Sequence, residues 1–265
     1  MPVRIIGYDR GTRSQLEDTP VPPSESSPPG EYLNDRIVVV TGAFGALGAA
    51  VAQAVGAAGA QVAAVGREEA AKAPAFASGV TAFGGIDLGS PDNVGSGFRS
   101  IAERLGGIDA LINIAGGFRW EKIDGGSVET WEALFNVNLR TTFNATKAAL
   151  PYILKRAAEH GAGRIVNVGA AAANHAAMGM GAYAASKAGV EKLTEALAAE
   201  LKDRRVTVNA IAPSIIDTAA NRAAMPNADF SRWVTPLEIS RVIVFLLSTQ
   251  ASGVTGALIP VTGRV

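Results

Sequence analysis

"RIVVVTGAFGALGAAVAQAVGAAG", residues 36–59, decides the fold. "RIVVV" (36–40) is a short β-branched run of strand type. "ALGAAVAQAVGAAG" (46–59) is alanine-rich and helical by propensity. Between them lies "TGAFGALG" (41–48), with glycine at Gly42, Gly45 and Gly48. A glycine turn between a strand and a helix lets the backbone approach a pyrophosphate closely. The helix N-terminus then offers its free N–H groups to the anion. The glycine spacing differs from the common G-x-G-x-x-G. Taken alone, the turn is equally a flexible link in an Ala/Gly-rich chain.

Strand-like and helical stretches alternate from there to the C-terminus. Further strands are expected at "QVAAV" (61–65), "VTAFGGI" (80–86), "IDALINI" (108–114), "RIVNVGA" (164–170), "VTVNAIA" (206–212) and "GALIPV" (256–261). Helices are expected over 91–106, 128–158, 182–203 and 236–248, the first with Pro91 in its opening turn. Such alternation implies right-handed crossovers and one doubly wound parallel sheet, a Rossmann-type α/β/α sandwich, over residues 34–265. Residues 1–33 include "DTPVPPSESSPPGEY", rich in Pro and Ser with little to bury. They read as a disordered or extended arm.

Composition narrows the function. Lys and Arg total 24, as do Asp and Glu, so no basic excess argues for nucleic acid. Cysteine is absent and there are two histidines, which disfavours thiol catalysis and a metal site. No apolar run has the length of a membrane helix, and the first residues do not form a secretory signal. A soluble cytoplasmic protein is expected, with no nucleic-acid or membrane partner.

The chemistry lies in "YAASK". Tyr183 and Lys187 stand at i, i+4 on one helical face. An ammonium beside a phenol favours the phenolate and suits it to general acid/base work. Tyr-x-x-x-Lys also occurs by chance in many helices, so the pair gains weight from its place after the fifth strand and behind the glycine turn.

Over about residues 34–265 the chain resembles the short-chain dehydrogenase/reductase family. "TGAFGALG" resembles its cofactor turn, "NIAG" (113–116) the motif after its fourth strand, and "NVNL" (136–139) the stretch holding its active-site Asn. "YAASK" resembles the catalytic pair and "APSIIDT" (212–218) the nicotinamide loop. The resemblance implies Tyr183 as proton donor and acceptor. Lys187 would hold the ribose and depress the Tyr183 pKa, and Asn138 would support a water-linked relay. It also implies Gly42, Phe44, Gly45, Ala46, Leu47 and Gly48 on the pyrophosphate, and Asp87 and Leu88 beside the adenine. Asn113, Ala115 and Gly116 would lie by the ribose, with Pro213, Ile216 and Thr218 at the carboxamide. It implies a homodimer or homotetramer through helices 128–158 and 182–203. Each assignment has a plain alternative: Asn138 as a satisfied helix Asn, Thr218 as a cap.

After the second strand comes "GREE". An acidic residue there reads the ribose 2′-hydroxyl of NAD, whereas Arg accommodates the 2′-phosphate of NADP. Gly66 followed by Arg67 favours NADP(H) over NAD(H), with Glu68 and Glu69 as counterweights. The family also places a Ser 13 residues before the Tyr; here that position is Ala170. Losing an oxyanion donor typically costs ~10²–10³ in rate.

The dihydropteridine reductase branch also lacks that Ser, and its glycine spacing, "AGG" and lid resemble "GALG", Ala115–Gly117 and residues 221–238. The branch differs in carrying Asp after strand two and in generally lacking an Asn equivalent to Asn138. The expected reaction is hydride transfer to a small, flat heterocyclic or carbonyl substrate. Phe118, Trp120, His175 and Trp233 are candidate substrate residues, with Ala170 on the same wall. The rivals are a serine-less carbonyl reductase or alcohol dehydrogenase, and a non-catalytic NAD(P)-sensing protein.

Overall fold

Seven parallel strands form one sheet in the order β3-β2-β1-β4-β5-β6-β7 in the computed structural model, which describes residues 32–265. The strands are β1 Ile37–Thr41, β2 Gln61–Val65, β3 Val80–Phe83, β4 Ala110–Asn113, β5 Gly163–Val168, β6 Val206–Pro213 and β7 Leu258–Val261. The helices are α1 Ala46–Ala57, α2 Pro91–Leu105, α3 Val128–Leu134, α4 Thr141–His160, α5 Gly181–Leu201, α6 Ala219–Ala224 and α7 Pro236–Leu247. The expected Rossmann-type sheet is what forms.

Side chains alternate across each strand, so both faces must be apolar to be buried. Val38 and Val40 of β1 pack in a cluster with Val51 and Val55 of α1 and Ile239 and Ile243 of α7. Val39, between them, joins Phe98 of α2, Ile153 of α4 and Leu201 of α5 on the other face. Two helical layers therefore enclose the sheet.

Local signals set several boundaries. Ser90 caps α2 by accepting a hydrogen bond from the Asn93 N–H, and Pro91 takes the first turn. Thr235 and Glu238 close a reciprocal capping box on α7.

Three sequence expectations are corrected. The third strand stops at Phe83, because Gly85 turns the chain at φ 71°. The fifth ends at Val168, short of the expected Ala170. The helix expected over 128–158 is not uniform: α3 and α4 are joined by a π-helical segment, Phe135–Arg140. Such π segments are often found at functional sites.

The proposed arm, residues 1–33, lies almost wholly outside the described residues. Leu33, at its end, is buried in the core with its N–H donating to Ala58 O at 2.9 Å.

The strand order reverses between β1 and β4. At such a switch point the loops leaving the strands diverge, and a crevice opens at the carboxyl edge.

Candidate active site

The turn after β1 forms the floor of that crevice. Gly42 has φ 67°, and a Cβ there would lie 2.8 Å from Ala115 N and Cα. A Cβ on Gly48 would sit 2.2 Å from Gly42 O. Both positions admit only glycine: at Gly42 the turn touches the backbone of the loop after β4, and at Gly48 it folds back on its own backbone. At the N-cap of α1, Gly45 adds no side-chain hydrogen bond, so the first-turn N–H groups stay available to an anion.

Two adjoining cavities share this floor. One, of about 310 Å³, is lined by Gly42, Gly45, Ala46, Leu47, Gly48, Ala115–Phe118, Val168, Gly169, Tyr183, Lys187, Pro213, Ser214 and Ile216. The other, of about 250 Å³, is lined by Gly42, Gly66, Arg67, Asp87, Leu88, Ala115, Gly116, Val137 and Thr141, among others. Together they gather most of the expected cofactor residues from five loops. A dinucleotide fits this cradle: glycine backbone and a helix terminus lie at its middle, with pockets to either side.

Of the Tyr183–Lys187 pair, Lys187 is buried and Tyr183 partly buried. Lys187 donates to Val168 O at 2.8 Å, and burial lowers its pKa to about 8 while Glu191 opposes that shift. Tyr183 has an edge-on contact with Phe118, with ring centroids 5.0 Å apart. Burial pushes the Tyr183 hydroxyl up to about 12. The expected depression by Lys187 is therefore not found. The ammonium is spent on a carbonyl, and desolvation of the phenol prevails. A phenol at about 12 holds its proton at neutral pH and suits proton donation.

Asn138 lies in the π segment, fully buried. Its Nδ2 donates to Gly117 O at 3.1 Å and to Ser186 Oγ at 2.9 Å, and its Oδ1 accepts from Gly117 N–H at 2.9 Å. The side chain clamps the loop after β4 to α5, and the main-chain carbonyl accepts from Thr142 Oγ1 at 2.7 Å. The satisfied-Asn alternative describes the side chain.

Three other expected residues have supporting positions. Asn113 is buried behind the cavities, donating to Thr146 and Asn167. Thr218 caps α6 by accepting from Asn221 N–H at 3.2 Å. Phe44 packs against the core rather than lining either cavity.

The substrate candidates separate. Phe118 lines the cavity beside Tyr183. Trp120 is half-exposed and abuts Gly179, where a Cβ would meet its ring at 2.2 Å. His175 is exposed in the loop after β5, has no hydrogen-bond partner among the described residues and does not line the Tyr183 cavity. Trp233 is 6% exposed, stacks on Phe230 with centroids 4.8 Å apart, and lines a separate cavity with Asp217, Arg222 and Arg264. Its placement in the substrate pocket is corrected: it packs the lid. Ala170 is buried and offers no side-chain donor.

Sequence reasoning missed Thr41, Ser186 and Glu191. Thr41 Oγ1 accepts from Ile114 N–H at 3.1 Å and Ala115 N–H at 3.4 Å, tying the two loops together. Thr41 opens the quoted turn and Ser186 lies inside "YAASK", so both stood within recognised motifs. Glu191 follows Lys187 by one helical turn, a spacing readable from sequence, but its burial is not.

A model of the family described as short chain dehydrogenase matches residues 36–229. A 3-oxoacyl-[acyl-carrier-protein] reductase of Pseudomonas aeruginosa is 34% identical over 87% of this chain and 97% of its own. An acetoacetyl-CoA reductase of Allochromatium vinosum is 33% identical over 86% of this chain and 97% of its own. Among solved structures, the 3-ketoacyl-(acyl-carrier-protein) reductase of Brucella melitensis, complexed with NADH, superposes with a TM-score of 0.80. It is 25% identical, covering 87% of this chain and 98% of that one. These relatives support the family as a whole and do not single out the dihydropteridine branch. Among the described residues no helix is long and apolar enough to cross a membrane. With the sheet, the glycine cradle and the Tyr183–Lys187 pair all in place, the chain belongs to the short-chain dehydrogenase family and is an NAD(P)-dependent oxidoreductase.

Proposed function

We propose that this enzyme reduces a small carbonyl or flat heterocyclic substrate with NADPH, and that Tyr183 alone donates the proton. The carrying observation is Tyr183 itself: partly buried in the cavity, edge-on to Phe118 and held in its protonated form by desolvation, while Ala170, where the resemblance expects a Ser, brings no second donor. The nicotinamide supplies hydride when bound. Lys187 lines the same cavity as Tyr183, where it would hold a ribose, and Phe118 would offer an aromatic edge to a planar substrate. Ser214 also lines the cavity, but it donates to Thr262 O at 2.7 Å.

NADP(H) is favoured because Arg67 lines the adenosine-side cavity. Glu68 is paired with Lys72 at 3.1 Å, and neither Glu68 nor Glu69 lines that cavity. The relatives favour a second reading of the substrate, a β-ketoacyl thioester, which is what all three are named for. The pteridine-type reading rests on Ala170 and the lid.

We further propose a homodimer or homotetramer in a reducing, cytoplasmic setting. Half-exposed Phe135 and Phe143 form an apolar face with Leu139, Gly189 and Leu193 on the outer side of α4 and α5.

The test is NADPH and NADH oxidation with a β-ketoacyl thioester, simple ketones and a dihydropterin, comparing wild type with Tyr183→Phe. Turnover that Tyr183→Phe abolishes supports the reading. Tight nucleotide binding without turnover of any acceptor overturns it in favour of a sensor.

A further inference from the structure

Gly66 directly follows β2 at the wall of the adenosine-side cavity. Its φ lies outside the left-handed region, so its backbone would accept any L-residue. What forbids a side chain is Phe44. A Cβ built on Gly66 would lie 2.3 Å from Phe44 Cδ2 and 2.5 Å from both Cε2 and Cγ. Such distances are far inside van der Waals contact.

The backbone has little room to yield. Gly66 N–H donates to Phe83 O at 3.0 Å, Gly66 O accepts from Ile86 N–H at 3.1 Å, and the Ala43 N–H beside Phe44 donates to Val65 O at 3.0 Å. A side chain at 66 must therefore expel the ring, which packs against the α1/α7 core.

Position 66 is where an acidic side chain would read a ribose 2′-hydroxyl. With Phe44 seated there, Arg67 is the one charged side chain of the loop between β2 and β3 that lines the cavity, Asp87 of the loop after β3 being the other charge on its wall, and Arg67 has no partner among the described residues. We propose that Phe44 is a specificity-determining residue: its ring keeps position 66 bare and leaves the 2′-position to Arg67, so that a 2′-phosphorylated adenosine is preferred. Positions 44 and 66 then act as a unit, and no single change at 66 converts the site. This rests on the nicotinamide reading above.

The test is calorimetric titration of the full chain with NADPH and with NADH, on wild type, Phe44→Ala, Gly66→Asp and the double variant. Melting temperatures are recorded without nucleotide. Wild type is expected to bind NADPH about tenfold or more tightly than NADH. Gly66→Asp alone loses affinity for both nucleotides and melts lower. The double variant recovers its melting temperature and prefers NADH, with a coupling of about fivefold or more between the two sites. Should Gly66→Asp not fold, Gly66→Ala with and without Phe44→Ala measures the same coupling, since it adds the same Cβ.

Additive effects, or an NADH preference from Gly66→Asp alone at an unchanged melting temperature, overturn the role of Phe44 while leaving the nicotinamide reading intact. Wild type that binds neither nucleotide overturns that reading and this inference with it.

Discussion

The two sides of the crevice are built differently. On the β1–β3 side the site is backbone: Gly42 and Gly48 bring main chains into contact, and α1 presents uncapped N–H groups. On the β4–β6 side it is buried side chains: Asn138 on Gly117 and Ser186, Asn113 on Thr146 and Asn167, Lys187 on Val168 O. The first side is set by steric necessity, the second by buried hydrogen bonds, which leave Asn113 Oδ1 and Glu191 Oε1 without a partner among the described residues. Substitutions should therefore fail in different ways, in binding on one side and in rate or stability on the other.

The largest expected effect is on rate. Tyr183→Phe removes the proposed proton donor and should lower kcat by about 10²–10⁴-fold. Cofactor affinity in a titration should change by less than about threefold, because binding belongs mainly to the other side. Gly48→Ala is the converse. Its Cβ would strike Gly42 O, so the turn must open, costing about 1–3 kcal/mol by thermal unfolding and weakening nucleotide binding about tenfold or more.

Asn138→Ala should cost about 1–3 kcal/mol, because Gly117 and Ser186 lose their buried partner. Its melting curve should drop while cofactor affinity falls only slightly. Outside both regions, Thr235→Ala deletes one half of the α7 capping box and should cost about 1 kcal/mol, leaving rate and binding unchanged.

The Tyr183–Lys187 pair also predicts a pH response. Lys187 titrates near 8 when folded, below its ordinary 10.5. The unfolded chain therefore holds more protons between those values, and this group's contribution to stability grows as pH rises from about 8 to 10.5. Tyr183 is raised from 10.0 to about 12, so its contribution falls as pH rises from 10 to 12. Melting temperature against pH should show the Lys187 rise in wild type and lose it in Lys187→Met. Turnover should decline above pH 8 as Lys187 loses its charge.

The contrast also explains what was legible in the sequence. The sheet was readable because both faces of each strand had to be apolar. Gly42 and Gly48 were readable because no other residue fits them. Tyr183 and Lys187 stand one helical turn apart, so sequence spacing alone places them together. The role given to Asn138 was not readable: a π turn and a partner 48 residues away, Ser186, decide what its side chain does. The Tyr183 pKa was misjudged for the same reason, since burial of a phenol depends on loops distant in sequence. Trp233 looked like a pocket aromatic, yet Phe230, three residues earlier, gives it a stacking partner within the lid.

The central claim is that Tyr183 donates the proton with no second donor at position 170. The direct measurement is kcat/KM for a β-ketoacyl thioester and for a dihydropterin, in wild type and Ala170→Ser, followed by NADPH consumption. The account predicts that the serine raises thioester reduction by about 10²-fold or more and leaves dihydropterin reduction unchanged. Efficient thioester reduction by wild type, with no gain from Ala170→Ser, would contradict it by showing that another group already holds the substrate oxygen.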